Sequence, residues 1–411
     1  MAVDPGSSTP RRIALVTQGF TFGGGVPTAA RWLREELMAV GYSVDIHDLA
    51  VSSTDVSSRR IVRPVSWFRR DLRNESTESS GVCHWGANLV EIEPMRYRPR
   101  NELTRALRDY DLIQVVAGGP ALAAAVVGAR PPVVLQMATL VRWERRSRRG
   151  SSPPGVRQWR DVMTWWTSRI EQKALRLADA VLVENVDMLS FVERAGQRNA
   201  MLAPPGVDTE RFTPARGGWN ADGYLLSVCR LSEPRKGIDR IVRAYQELVR
   251  EYDAAPPLVL AGRGTLPEPI ARMVHEAGLA QRVVVKSDVQ PEKLAELYRG
   301  ASVYVQASHE EGLGISVLEA MASGLPVVTT STSGTRETVA DGLTGWLVPQ
   351  HDEDDLRTMC AARIHDILRG SGATMAPAAR ERCEREFSTS AALGKYLQVY
   401  QRLLTSPPRG R

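Results

Sequence analysis

Short apolar runs alternate with longer helix-like segments from one end of the chain to the other. Such alternation is the pattern of parallel sheets whose strands are joined by crossover helices, so an α/β protein is expected. In the first half the runs predict strands at Ile13–Thr17, Ser43–His47, Leu112–Val116, Val133–Gln136 and Ala180–Glu184. In the second half they predict strands at Tyr224–Val228, Leu258–Ala261, Val283–Val285, Val303–Gln306, Pro326–Thr330 and Gly345–Val348. Pro27 to Val40 reads as a helix stopped by Gly41.

The chain of 411 residues exceeds the range in which one hydrophobic core keeps growing, so two domains of similar size are expected. The run Ala203-Pro204-Pro205-Gly206 continues neither helix nor strand and suits a hinge. The reading is an N-terminal Rossmann-like domain over 11–203, a C-terminal Rossmann-like domain over 204–386, and a C-terminal helix and tail over 387–411. An amphipathic helix is expected at about Ser390 to Leu404, and loops at Asp71–Gly81 and Ser147–Gly155.

Composition narrows the class. With 43% hydrophobic and 24% charged residues a soluble globular protein is expected. The longest nearly uncharged stretch, Ala121 to Val141, is broken by Arg130, Pro131 and Pro132, which argues against a bilayer-spanning helix. A Gly/Ser/Pro tail, Asp4 to Pro10, leads directly into the first strand, so no cleaved leader is expected and the cytoplasm is the expected compartment. Cys83, Cys229, Cys360 and Cys383 lie far apart and read as ordinary thiols. The net charge is +6, with arginines clustered at Arg59, Arg60, Arg63, Arg69, Arg70 and Arg73 and again at Arg142, Arg145, Arg146, Arg148 and Arg149. These are solvated loops or surfaces that attract an anionic acceptor or the inner membrane face; nucleic acid is not expected, because no binding module accompanies them.

The chemistry concentrates in the second half. Glu311-Gly312-Leu313-Gly314-Ile315-Ser316 follows the strand run Val303–Gln306, which places a glutamate and glycines at the carboxyl end of a strand, where open α/β sheets bind ligands. A helix opening near Ile315 aims its amides and dipole at that point, as a phosphate requires. Glu319 stands two turns further on, so the two carboxylates meet different parts of an extended ligand, a sugar and a ribose. Arg230 ends another strand and Lys236-Gly237 follows six residues later; two such cations neutralise a diphosphate without a metal.

These residues carry a resemblance. Glu311 and Glu319 as an E-x7-E pair, the run from Cys229 to Gly237 (with Cys229 where glycine is usual), Pro204 to Pro214, and Gly334, Glu337, Gly342 and Gly345 resemble the donor domain of family-4 GT-B glycosyltransferases. The resemblance implies two Rossmann-like domains facing a central cleft, with the last helix crossing back to the first domain. It implies that Arg230 and Lys236 bind the donor diphosphate, Glu311 the donor sugar and Glu319 the ribose. It further implies that the loop at Gly314 and the amides of Ile315 and Ser316 touch phosphate, and that Gly24 and Gly25 face the donor from the first domain. A retaining, metal-independent transfer from a UDP- or GDP-sugar to an acceptor hydroxyl follows, with no resident cofactor. The acceptor is a small metabolite, a polysaccharide or a lipid-linked glycan.

The sequence also departs from that pattern. Many relatives carry a histidine just after the fourth strand of the first domain, where this chain has Ala138; Thr139, Gln136 or backbone carbonyls are the alternatives for its contact. His309 is expected near the site and His84 as an exposed loop side chain. Gly23-Gly24-Gly25 with Asp45 or Asp48 invites a dinucleotide-binding alternative, although the consecutive glycines lack the G-x-G-x-x-G spacing. Asp352 to Asp355 reads as helix capping and not as a metal site. Most of Trp67, Trp85, Trp143, Trp159, Trp165 and Trp166 are expected in the core. An inactive sugar-nucleotide-binding module and a GT-B epimerase or phosphorylase are the competing functions.

Overall fold

A computed structural model describes residues 10–20, 25–68, 73–74, 81–145, 154–252 and 255–405. The chain divides into two compact units, one of Met1–Pro205 with Leu393–Arg411 and one of Gly206–Ala392.

The first unit is built on β1 (Arg12–Gln18), β2 (Ser43–Leu49), β3 (Arg73–Asn74), β4 (Val82–Trp85), β5 (Leu112–Ala117), β6 (Val133–Met137), β7 (Ala180–Val183) and β8 (Ala200–Leu202). They form one sheet in the order β3-β4-β2-β1-β5-β6-β7-β8, parallel except where β3 meets β4. The five predicted strands of this half are present within two residues at each end. The other three were not predicted: β3 lies within Asp71–Gly81, expected as a loop, β8 is three residues long, and β4 reads Val-Cys-His-Trp, with only its outer two residues buried.

The end of the chain is part of this unit. The helix Thr389–Thr405 lays Leu393, Tyr396, Val399 and Tyr400 into a cluster with Ile13, Leu33 and Leu182. The Tyr400 hydroxyl donates to Gln114 Oε1 at 2.7 Å and the Tyr396 hydroxyl to Gln136 Oε1, so the amide oxygens of two glutamines on neighbouring strands are each met by one helix.

The second unit holds β9 (Tyr224–Arg230), β10 (Leu258–Arg263), β11 (Val283–Ser287), β12 (Ala301–Gln306), β13 (Val327–Thr330) and β14 (Gly345–Val348), all parallel, in the order β11-β10-β9-β12-β13-β14. The central residues of β9, β10, β12 and β13, including Leu226, Leu260, Val303 and Val328, are completely or almost completely buried, as strands covered by helices on both faces must be, whereas the edge strand β11 is exposed at Val284 and Val285. From β9 the chain moves outward to β10 and β11, then returns to the other side of β9 with β12. The sheet order therefore reverses between β9 and β12, and the crevice at their carboxyl ends is the topological switch point of this unit. Among the described residues no helix is long and apolar enough to cross a membrane.

Candidate active site

Both chemical segments read from the sequence leave the sheet at that switch point. Arg230 is the last residue of β9, and the turn Pro234–Lys236 follows it. Gly237 then starts the helix Ile238–Glu251 with φ +61°, and a Cβ there would stand 2.1 Å from the carbonyl oxygen of Ala307, just after β12. Only glycine permits both the left-handed backbone and this approach, which brings the β9 loop against the β12 loop. The amide of His309 completes the junction by donating to the Arg235 carbonyl at 2.9 Å.

Across this junction Lys236 Nζ meets Glu311 Oε1 at 2.5 Å, with both side chains largely buried. The same oxygen accepts from Ser308 Oγ at 2.8 Å and Gln306 Nε2 at 3.1 Å. Gln306 is itself fixed by Tyr304 and Ser316, whose hydroxyls donate to its Oε1 at 3.1 and 3.0 Å. Three donors converging on one oxygen hold the carboxylate in a single orientation. None of the partners Ser308, Gln306 or Tyr304 carries a motif of its own; they precede Glu311 on or just after a buried strand, and only the fold aims them at it.

Arg230 is half-exposed and lies 3.2 Å from Glu233. Glu233 is held below the usual carboxylate range: burial pushes it up, but the hydrogen bond from Arg235 and the charges of Arg235, Arg230 and Lys236 outweigh that. Three cations thus share two carboxylates here, and the surplus is positive.

The helix Ile315–Ala322 begins at Gly314, which has φ +85° and offers no side-chain acceptor to the first-turn amides. Its open end belongs to the loop of Glu311, whose backbone carbonyl accepts from the Gly334 amide at 3.0 Å. One turn into the helix, the Ser316 carbonyl and Glu319 Oε2 both accept from Tyr298 OH, at 3.3 and 2.8 Å. Burial pushes Glu319 up to about 7, against the opposing pull of the Tyr298 hydroxyl and Arg211.

Four readings change in the first unit. His84 is not an exposed loop side chain: it lies on β4, with Nδ1 2.8 Å from Asp48 Oδ2 and Nε2 2.7 Å from Asp55 Oδ2. Gln136, a candidate for the missing histidine's contact, is 1% exposed and turned to Tyr396, so it is committed to the tail helix. Trp85 is buried and Trp143 partly so, but Trp67 is exposed, as are Trp159, Trp165 and Trp166, because the helix Pro154–Leu177 that carries the last three packs its opposite face. The dinucleotide alternative loses its acids: Asp48 accepts from the Phe20 amide at 2.9 Å and pairs with His84, while Asp45 pairs with Arg12 and Tyr110.

Gly25 opens the helix Gly25–Ala39 with free space where a Cβ would be, whereas Gly24 lies outside the described residues. His309 is exposed beside the junction, its ring lowered by burial and by Arg240. Asp352 caps the helix Glu353–Asp366, accepting from the amides of Asp354 and Asp355 as its spacing predicts. Of the clustered arginines, Arg60 pairs with Glu91 and Arg145 with Glu93; Arg69, Arg70, Arg146, Arg148 and Arg149 lie outside the described residues.

Residues 211–382, which contain Arg230, Lys236, Glu311 and Glu319, match the model of the glycosyl transferases group 1. Over these residues the chain is similar to that family. Its curated relatives include a D-inositol 3-phosphate glycosyltransferase of Xylanimonas cellulosilytica, 30% identical over 246 residues, which are 56% of this chain and 58% of that protein. Another is a GDP-mannose-dependent alpha-(1-6)-phosphatidylinositol monomannoside mannosyltransferase of Mycolicibacterium smegmatis, 35% identical over 46% of this chain and 55% of that one. The chain spans little more than half the length of the curated relatives it matches. Among solved structures, sucrose-phosphate synthase from Thermosynechococcus elongatus superposes with a TM-score of 0.69 at 22% identity, covering 97% of this chain and 100% of that one. HepE of Anabaena, solved with UDP and glucose, superposes with a TM-score of 0.68 at 16% identity, covering 95% and 100%. The fold is therefore GT-B, with two Rossmann-like units.

Proposed function

We propose that the protein is a retaining, metal-independent glycosyltransferase that moves a hexose-type sugar from a UDP- or GDP-sugar to an acceptor hydroxyl. The observation that carries this reading is the Lys236–Glu311 contact at the switch point, beside Arg230 and the uncapped start of the helix Ile315–Ala322. A diphosphate placed there is met by two side-chain cations and by helix amides, so the charge that develops on the leaving phosphate is stabilised by groups already in position. Glu311 accepts from a donor-sugar hydroxyl and Glu319 from the ribose.

The glycosidic C–O bond to the phosphate breaks first, leaving an oxocarbenium-like sugar. The acceptor oxygen then forms its bond on the same face and gives its proton to the departing phosphate oxygen, which accounts for retention without a carboxylate nucleophile. Solved relatives in fold hold UDP, and curated relatives act on inositol phosphate or a phosphatidylinositol mannoside, which supports a nucleotide-sugar donor and makes a phosphate-bearing acceptor one class to test. Contact of the basic segments with such an acceptor or with a membrane face belongs to the same reading.

The test is release of UDP or GDP from a panel of nucleotide-sugars, with and without acceptor mixtures, and mass spectrometry of the products. Acceptor-dependent release with a glycosylated product is the expected result. Nucleotide binding with neither transfer nor slow donor hydrolysis would instead favour an inactive binding module.

A further inference from the structure

The long helix Pro154–Leu177 buries Met163, Thr167, Glu171 and Ala174 on one side. On the other, Trp159, Val162, Trp166, Arg169, Lys173 and Arg176 recur at intervals of three and four residues, which is one stripe of an α-helix. The stripe is sorted along its length. Its first half is apolar and open, with Trp159 57%, Val162 52% and Trp166 39% exposed and Trp165 beside them at 53%; its second half is cationic. Arg142, from the adjoining turn Val141–Glu144, leans on the helix through Ser168 at 3.0 Å, and the Arg169 guanidinium lies 4.5 Å from the centre of the Trp165 ring.

Arg142, Arg169, Lys173 and Arg176 surround a cavity of about 490 Å³ walled by Trp165. Among the described residues Arg169, Lys173 and Arg176 form no ion pair and Arg142 has only the buried Glu171 carboxylate in its field, whereas on other exposed helices arginines are paired along the helix, as Arg380 is with Glu384 and Arg385 with Glu381. Uncompensated charge around a concave surface costs self-repulsion, which an anionic ligand relieves.

We propose that this face docks on an anionic lipid membrane, with the tryptophans in the headgroup boundary and lipid phosphates in the cationic cavity. Indole rings, apolar in body with one polar N–H, suit that boundary, and a helix with an apolar stripe and basic residues lies in its plane. A soluble anion needs the cavity but gives no reason for Trp159, Val162 and Trp166 to stand in water beyond it. A second copy laid antiparallel across a two-fold axis would set the cationic half of each stripe against the tryptophans of the other and bury those charges without a carboxylate. The inference does not rest on the proposed catalysis, because none of these residues belongs to the Lys236–Glu311 site.

The experiment is flotation of the full chain with vesicles of phosphatidylcholine alone or mixed with phosphatidylglycerol. Binding to the mixed vesicles and not to the neutral ones is expected. Arg169→Glu and Lys173→Glu should each lower it at least roughly fivefold, in a manner that salt diminishes. Trp159→Ala with Trp166→Ala should lower it at low and high salt alike. Unchanged melting and unchanged nucleotide affinity in all three variants keep loss of the fold and failure of the donor site apart from this result. No binding to mixed vesicles, equal binding to both kinds, or stabilisation by inorganic phosphate without vesicle binding would each overturn the proposal, as would a dimer that the tryptophan variants dissociate.

Discussion

Lys236 and Glu311 are 75 residues apart in sequence and meet at 2.5 Å where the β9 and β12 loops leave the sheet. The contact couples the cation read as a diphosphate ligand to the carboxylate read as a sugar ligand, so each orients the other before any donor arrives.

Lys236→Ala removes a charge-assisted contact and leaves Glu311 with Ser308 and Gln306 alone. Nucleoside diphosphate affinity should fall by about 1.5–3 kcal/mol in calorimetry, more than the stability loss read from denaturant melts. Affinity equal to that of the unaltered protein would remove the lysine from the donor site.

Glu319→Ala separates ribose from phosphate recognition. It should weaken UDP or GDP and leave pyrophosphate almost unaffected in the same titration. Equal losses for both ligands would contradict the ribose role.

The pH dependence of Glu319 has a defined sign. Its folded value is about 7, above the usual 4.5, so the folded state binds more protons than the unfolded one between these values and stability falls as pH rises through that window. Glu319→Gln should therefore gain melting temperature relative to the parent as pH goes from 5 to 8. A difference that stays flat with pH would mean that the carboxylate is solvated in the folded protein.

His84 has the same sign at higher pH, from a different cause. Burial pulls it down, but hydrogen bonds and charge from Asp48 and Asp55 together raise it to about 9 from 6.5. Its contribution is complete below 6.5 and disappears as pH climbs through 9. His84→Gln should destabilise the protein at pH 6 and much less at pH 10. Asp55, lowered by the same pairing, adds stability that is lost in acid.

Tyr400→Phe leaves buried Gln114 Oε1 without its 2.7 Å donor. A loss of about 1–3 kcal/mol is expected in chemical denaturation. A neutral result would show that the tail helix is held by its apolar face alone.

How much of this was legible follows from where each signal sits. The eleven strand runs named from the sequence are all present, because strands covered on both faces are apolar throughout and even the exposed edge strand β11 keeps a run of three valines. Glu311, Gly314 and Glu319 were legible for a similar reason, since a loop after a strand and the start of a helix lie within one short stretch of sequence. The lining of Glu311 was not: Ser308, Gln306 and Tyr304 are ordinary residues until the strand positions them.

The sequence by itself determined the alternation of elements, the two-domain plan, and the loops that carry the charged and glycine-rich chemistry. Tertiary structure alone decided which partner each polar side chain finds. Gln136 turns to Tyr396 across 260 residues, His84 bridges two aspartates on separate segments, and three tryptophans stay in water because their helix buries its other side. Periodicity is a local property written along the chain, whereas the satisfaction of a buried donor or charge depends on atoms that only folding brings within hydrogen-bonding distance.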